Sequence, residues 1–380
     1  MEELDEIIGR IAALQSEGDA YFDEGLFPAQ RTNALIGYKR PDTTVFFTAI
    51  IVFTLRKIKY LLSPQSQVLV NQIVEKATKN YPKFQNKDGL KTCNFWKTKP
   101  SQHFPNGHLF RHFDHFRIPD DVDDTAMIYL TTSPTEEELF WLKEKLSQHA
   151  NLSQHTVRNA RPEYHQLRAY STWFGKNMYI EFDACVLSNL LYCIYEYQLP
   201  LNQHDYDSLV YIRSIIETDR YITEPFRCAH QYPRTVLIIY HVARLISTFH
   251  ITDLEIIRDK IINDARQLLQ QPQHPLDEIL LKTSLLRLGD KGKDVRHLTF
   301  DSRKLKAEGR KLTADCQQPK ADSRKLKADS FYFFIAGLLT AYENPVLYHL
   351  AKSPLFQMRW ECEAHCWTLV AEYLALLQED

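Results

Sequence analysis

The sequence predicts an all-α protein, built as a double-layered (α/α)6 toroid. Six mostly apolar segments each begin just after a proline or an acidic residue, and amphipathic segments lie between them. Helices apolar on most faces must be buried on most faces, whereas a helix with one polar face belongs at the surface. Six buried helices wrapped by half-buried ones make two concentric layers. Starts near residues 42, 121, 183, 234, 276 and 330 leave room for a helix pair and a loop in each repeat. The whole chain, residues 1–380, is expected to form one such domain.

The elements follow in order. The acidic, amphipathic opening MEELDEIIGRIAALQSEGDAYF predicts an N-terminal helix over residues 1–28. Pro41-Asp42 leads TTVFFTAIIVFTL, the first buried helix, and Gln65 to Asn80 is amphipathic. Pro119-Asp120-Asp121 leads VDDTAMIYL, the second. In SPTEEELFWLKEKLSQHA, Ser133 and Glu136 have capping-box spacing, with Pro134 at the first helical position, where a missing N–H costs nothing. ACVLSNLLYCIY after Asp183, RTVLIIYHVARLI after Pro233 and EILLKTSLLRL after Pro275-Leu276-Asp277 are the next three buried helices. HDYDSLVYIRSIIETD and ITDLEIIRDKIINDARQLLQQ are the amphipathic segments among them. SFYFFIAGLLTAY after Asp329 is the sixth buried helix.

One tract breaks the alternation. DSRKLKA occurs at 301–307 and again at 322–328, with EGRKLTA a degenerate copy between, and the tract holds nine Lys/Arg and four Asp/Glu. It has too few apolar side chains to fold alone, so 301–328 is expected as a basic repeat insertion exposed to solvent.

Composition narrows the function classes. Lys+Arg total 46 against 48 Asp+Glu, a net charge of −2, which offers no global field for nucleic acid. The basic insertion lacks interleaved aromatics on which bases would stack, and peripheral contact with an anionic membrane is the partner it leaves open. Seven cysteines, odd in number and scattered, do not make a disulfide framework. The N-terminus has no secretory pattern, and the longest apolar run, Val45 to Leu55, is about half a membrane span. A cytoplasmic location is expected. The rings stand out: 21 Phe, 20 Tyr and 5 Trp suffice to line a cavity as well as fill a core.

The densest chemical signal is IPDDVDDTAMIYL, with Asp120, Asp121, Asp123 and Asp124 at the start of a buried helix. One or two carboxylates cap free N–H groups and offset the helix dipole. Four exceed that need, because like charges this close raise one another's pKa, and a carboxylic acid kept protonated at neutral pH is the result. His103, His108, His112 and His115 crowd just upstream, as a metal site, as hydrogen-bond partners of the acid, or as ordinary loop histidines.

Asp121-Val122-Asp123-Asp124-Thr125-Ala126 resembles the D-x-D-D-T-A motif of class II terpene cyclases, the squalene–hopene and copalyl-diphosphate type, whose catalytic domains are α/α toroids. The resemblance implies an isomerase or lyase that protonates an isoprenoid polyene and cyclises it through carbocations, with no cofactor, or with magnesium if the substrate is a diphosphate. Asp123 would be the acid, and Asp121 and Asp124 would hold its proton in position. The family's aromatic lining, stabilising positive charge by cation–π contact, would correspond to Phe46, Phe47, Trp173, Phe174, Tyr332 and Trp360. The Q-x-x-x-G-x-W repeats of squalene–hopene cyclases are missing, and one toroid is expected where class II enzymes usually pair two.

Other readings use some of the same residues. Asp120, Asp121 and Asp124 also fit D-D-x-x-D, by which class I terpene synthases hold a diphosphate through magnesium. Asp183-Ala184-Cys185, with His365, resembles the zinc ligands of protein prenyltransferase β-subunits, but Cys185 on an apolar helix reads as a buried small hydrophobe and no metal is expected. Cys362 and Cys366, four apart, add no ligand signature. The alternative from another class is a toroid without catalysis, binding a lipid or a protein partner.

Overall fold

The computed structural model describes residues 2–108, 110–113, 117–175, 178–271, 273–297, 331–337 and 344–379. The insertion expected at 301–328 and His115 lie outside them.

Twelve helices carry labels here: α1 (Glu2–Ala13), α2 (Phe46–Ile58), α3 (Pro64–Thr78), α4 (Val122–Thr131), α5 (Glu136–Gln148) and α6 (Ala184–Glu196). They continue as α7 (Gln203–Glu217), α8 (Thr235–Thr248), α9 (Arg258–Leu269), α10 (Pro275–Arg287), α11 (Pro345–Ala351) and α12 (Glu363–Leu376). α1 places acids in its first turn, where the dipole favours them, and buries the stripe Leu4, Ile7, Ile8 and Ile11. It stops at Ala13, well short of residue 28.

The apolar helices are the buried ones. Every residue of α4 is buried, and in α2, α6 and α8 nearly all are. They pack in sequence order: α2 on α4, α4 on α6, α6 on α8, α8 on α10, α10 on α12, and α12 on α2. Amphipathic α3, α7 and α9 cover them from outside. The capping box of α5 uses Thr135 and Glu138 rather than Ser133 and Glu136. The Thr135 hydroxyl accepts from the Glu138 N–H at 3.2 Å and the Glu138 carboxylate from the Thr135 N–H at 3.1 Å.

The expected all-α (α/α)6 toroid is corrected by a sheet, so the fold is mixed α/β. Strands β1 (Ala29–Asn33), β2 (Tyr38–Asp42), β3 (Phe334–Gly337) and β4 (Gln357–Glu361) form one antiparallel sheet in the order β2-β1-β4-β3. The sixth apolar segment is therefore not a helix from residue 330. Its Phe334–Gly337 stretch pairs with β4, Phe334 opposite Trp360, and the helix that packs between α10 and α2 starts at Glu363. A short run apolar on every face suits a strand as well as a helix, and only its partner decides. β1, AQRTN, is short and polar, yet it buries Arg31. That side chain forms an ion pair with Asp42, both fully buried, and Trp96 donates its indole N–H to Asp42 at 2.7 Å.

No helix among the described residues is long and apolar enough to cross a membrane.

Candidate functional site

The aspartate run sits where three segments meet. The Asp121 N–H bonds the Cys93 carbonyl and the Val122 N–H the Thr172 carbonyl, each at 2.9 Å, so the entry to α4 is clamped between two extended stretches. Asp121 is extended (φ −105°, ψ 136°) and caps the helix: its carboxylate accepts from the N–H groups of Asp123 at 2.6 Å and Asp124 at 3.1 Å. Capping thus accounts for one carboxylate of the four.

Asp120 points elsewhere. It accepts from Asn86 at 2.6 Å, from the Thr92 hydroxyl, and from Asn94 at 3.4 Å, and it faces a different hollow from its neighbours. Asp121, Asp123 and Asp124 are buried and line one cavity of about 230 Å³. Among the described residues none of the three forms an ion pair. Asp123 accepts from Asn189 on α6 at 2.6 Å and from the Tyr232 hydroxyl. Asn189 in turn accepts from the buried Arg244 guanidinium on α8. Asp124 is 1% exposed, and its Oδ1 has no hydrogen-bond partner among the described residues.

The electrostatics follow from that geometry. Burial pushes the Asp123 carboxyl up to about 6, against the hydrogen bonds from Tyr232 and Asn189 and the nearby charge of Arg244, which favour its anion. Burial pushes Asp124 well above the ordinary range, and the charges of Asp121, Asp123 and Asp120 add to this, with no donor to offset them. Asp121 is also raised, by burial first and the Asp123 charge second. Asp183, which caps α6 just as Asp121 caps α4, is pushed by burial to about 7.

Rings form much of the remaining wall. Phe46, Trp173 and Trp360, expected from the sequence, line the cavity. Trp360 stacks on Phe334 at 5.3 Å, with Phe95 edge-on to both, so β3 and β4 supply a face of the site. The other three expected rings do not line it. Phe47 is one layer back, edge-on to Phe46 and packed against His365 at 5.4 Å. Phe174 faces the hollow that Asp120 faces. Tyr332 lies beneath the guanidinium groups of Arg234 and Arg359.

Of the upstream histidines, the three described, His103, His108 and His112, do not join the aspartates. His103 is buried outside the cavity wall, His108 meets Arg40, and His112 meets Arg111 at 3.1 Å. Cys185 is buried and its thiol pushed well up by burial. Among the described residues no group of three or more His, Cys, Asp or Glu is placed to hold a metal ion.

Asn189 and Tyr232 were not foreseen as site residues. The one amide in ACVLSNLLYCIY is the signal that would have marked Asn189, since a polar side chain on a helix buried all round needs a partner. Tyr232 carries no comparable signal. Compared with protein-family models, with curated proteins and with solved structures, the chain matches none.

Proposed function

We propose that this chain is an acid-initiated isoprenoid cyclase, resembling the class II terpene cyclases in its chemistry. The observation that carries the reading is that Asp121, Asp123 and Asp124 open together onto one ring-lined cavity. Protonation breaks the Asp123 O–H bond and forms a C–H bond at a terminal alkene of the polyene, or, at a terminal epoxide, an O–H bond as one epoxide C–O bond opens. The cation then migrates through successive double bonds, and loss of a proton from the last one restores the carboxyl. A raised carboxyl pKa keeps the proton available near neutral pH. Asn189 and Tyr232 fix the direction of the Asp123 carboxyl, and Phe46, Trp173, Phe334 and Trp360 offer ring faces to the cation. Burial of the carboxyls keeps away water that would quench it.

Two features weigh against the competing readings. A scaffold would tie these aspartates into ion pairs, and magnesium-dependent chemistry would need Asp120 beside Asp121 and Asp124, whereas Asp120 faces away. The test is to incubate purified protein with prenyl diphosphates and with free polyenes, with and without magnesium, and to read the products by mass spectrometry. Cyclic products that vanish in Asp123→Asn support the reading. A wild-type protein inert towards every polyene, or one that loses activity with Asp120→Asn but keeps it with Asp123→Asn, overturns it.

A further inference from the structure

The ring-lined cavity has a charge character of its own. Asp121, Asp123 and Asp124 line it, and among the described residues no Lys or Arg does. Its fourth carboxyl, Glu181, is engaged by the Trp173 indole N–H at 2.8 Å. Its one imidazole, His230, is buried, which favours the neutral form. The two oxygens of Asp123 accept from Asn189 and Tyr232, and Asp121 caps α4. Asp124 differs: it is buried, and its Oδ1 meets no donor among the described residues. A buried carboxylate oxygen without a donor is costly, and a ligand that brings the donor removes that cost.

The rest of the wall narrows what that ligand is. Phe46, Trp173, Phe334 and Trp360 present rings to the same space, and a ring face attracts a cation more strongly where water is excluded. A metal ion is a poor match, because hard cations take cages of oxygen ligands and no group of three or more His, Cys, Asp or Glu among the described residues is placed to hold one. An oxyanion would be repelled by the carboxyls. A protonated amine fits every side: its hydrocarbon body suits the rings, its charge suits the acids, and its N–H suits Asp124 Oδ1. The cavity of about 230 Å³ is smaller than the ~300–1,000 Å³ of drug-sized sites, so the amine is small. Burial favours neutral acids while no cation faces them, and a cation beside them favours their anions. Asp123 is faced by Tyr232, by Asn189 with Arg244 behind it, and by the charges of Asp121 and Asp183. Its carboxyl, raised to about 6, is ionised at pH 8.

We infer that the cavity is a binding site for a small organic ammonium ion, whose N–H donates to Asp124 and whose charge and hydrocarbon body lie against the rings. The site is shared with the cyclase reading but does not rest on it, since rings and carboxylates hold such a cation whether or not an alkene is ever protonated. The experiment is calorimetric titration of the full chain at pH 8 with three probes of one shape. Benzyldimethylamine, largely protonated there, carries both charge and N–H, benzyltrimethylammonium carries charge without N–H, and benzyl alcohol carries O–H without charge. The first should bind, and each of the other two about tenfold more weakly or worse. Asp124→Asn should weaken the first probe about tenfold and leave the alcohol unchanged, with no fall in the melting curve, because an amide replaces a buried acid. Trp360→Leu should weaken both ammonium probes, and Trp360→Phe, which keeps a ring, should retain most of their binding. No ammonium binding to wild type, equal binding of the first probe and the alcohol, or binding unaltered in both Asp124→Asn and Trp360→Leu overturns the site. Binding that disappears in 0.5 M NaCl would belong to exposed carboxylates, which salt screens far more than buried ones, and overturns it too. Ammonium binding with this pattern in a protein that cyclises nothing keeps the site and refutes the cyclase. Cyclisation by a protein that binds no ammonium does the reverse.

Discussion

Tyr232→Phe removes one hydroxyl from the site and leaves the ring in place. That hydroxyl donates to Asp123, and both side chains are buried. A hydrogen bond to a charged group contributes about 1.5–3 kcal/mol and one to a neutral group about 1 kcal/mol. The variant should therefore lose ~1–1.5 kcal/mol more when Asp123 is ionised than when it is protonated. At ~1.4 kcal/mol per pH unit, that raises the Asp123 carboxyl by about one, from about 6 to roughly 7. The sign follows from linkage. Asp123 is already raised above its ordinary 3.8, so the stability it contributes is complete below that value and is lost as pH rises through about 6. In urea unfolding from pH 4 to 8.5, the variant should trail wild type slightly below pH 5. The deficit should widen through pH 6–7 and level off above pH 8 at ~1.5–3 kcal/mol. In isotope-edited infrared spectra, the protonated Asp carbonyl band should persist to higher pH in the variant. A deficit of constant size at every pH would mean that the hydroxyl acts by packing alone and would refute the assignment of Asp123 as a titrating group held by Tyr232.

Three further outcomes are expected. Asp123→Asn should lower product formation by on the order of 10²–10⁴-fold or abolish it, whereas Asp120→Asn, which faces the other hollow, should change turnover far less; both are read as product per minute by mass spectrometry. Trp360→Leu, in the cavity wall, should alter the product distribution and Tyr332→Leu, outside it, should not, so equal effects would show that the wall is drawn wrongly. Arg31→Met should cost about 3–5 kcal/mol at neutral pH because it leaves Asp42 buried and charged. That loss should shrink as pH falls towards 4, and Arg31→Met/Asp42→Leu should recover much of it in chemical denaturation.

What the sequence revealed was mostly local. The starts of α2, α4, α6, α8 and α10 could be read from a proline or acid followed by a long apolar run, because both signals lie within one helix. The sixth segment failed for a physical reason: FFIA is apolar on every face, and its conformation was chosen by β4, which is not adjacent to it in the chain. The same limit applies at the site. Asp121, Asp123 and Asp124 share one helical turn, so their proximity was legible. Asn189 and Tyr232 reach Asp123 from 66 and 109 residues away, which no spacing in the chain encodes. Among the rings, Phe46 and Phe47 differ by one step around a helix, and Trp173 and Phe174 by one step along an extended segment. Each step turns a side chain to another face, so composition could nominate these rings but not choose between neighbours.

The pairing of β1 with β4 ties the time course of synthesis to the site. Thr32 and Arg359 bond across 327 residues, and Arg10 reaches Glu363 at 2.6 Å. A ribosome therefore releases the aspartates of α4 and the rings of α2 long before the strands bearing Phe334 and Trp360 exist to cover them. Contacts this distant in sequence form slowly, and domains that depend on them leave apolar surface uncovered in the meantime. The nascent chain should thus hold an open, ring-rich cleft beside its acids until residues 334–361 arrive, a state that favours chaperone capture.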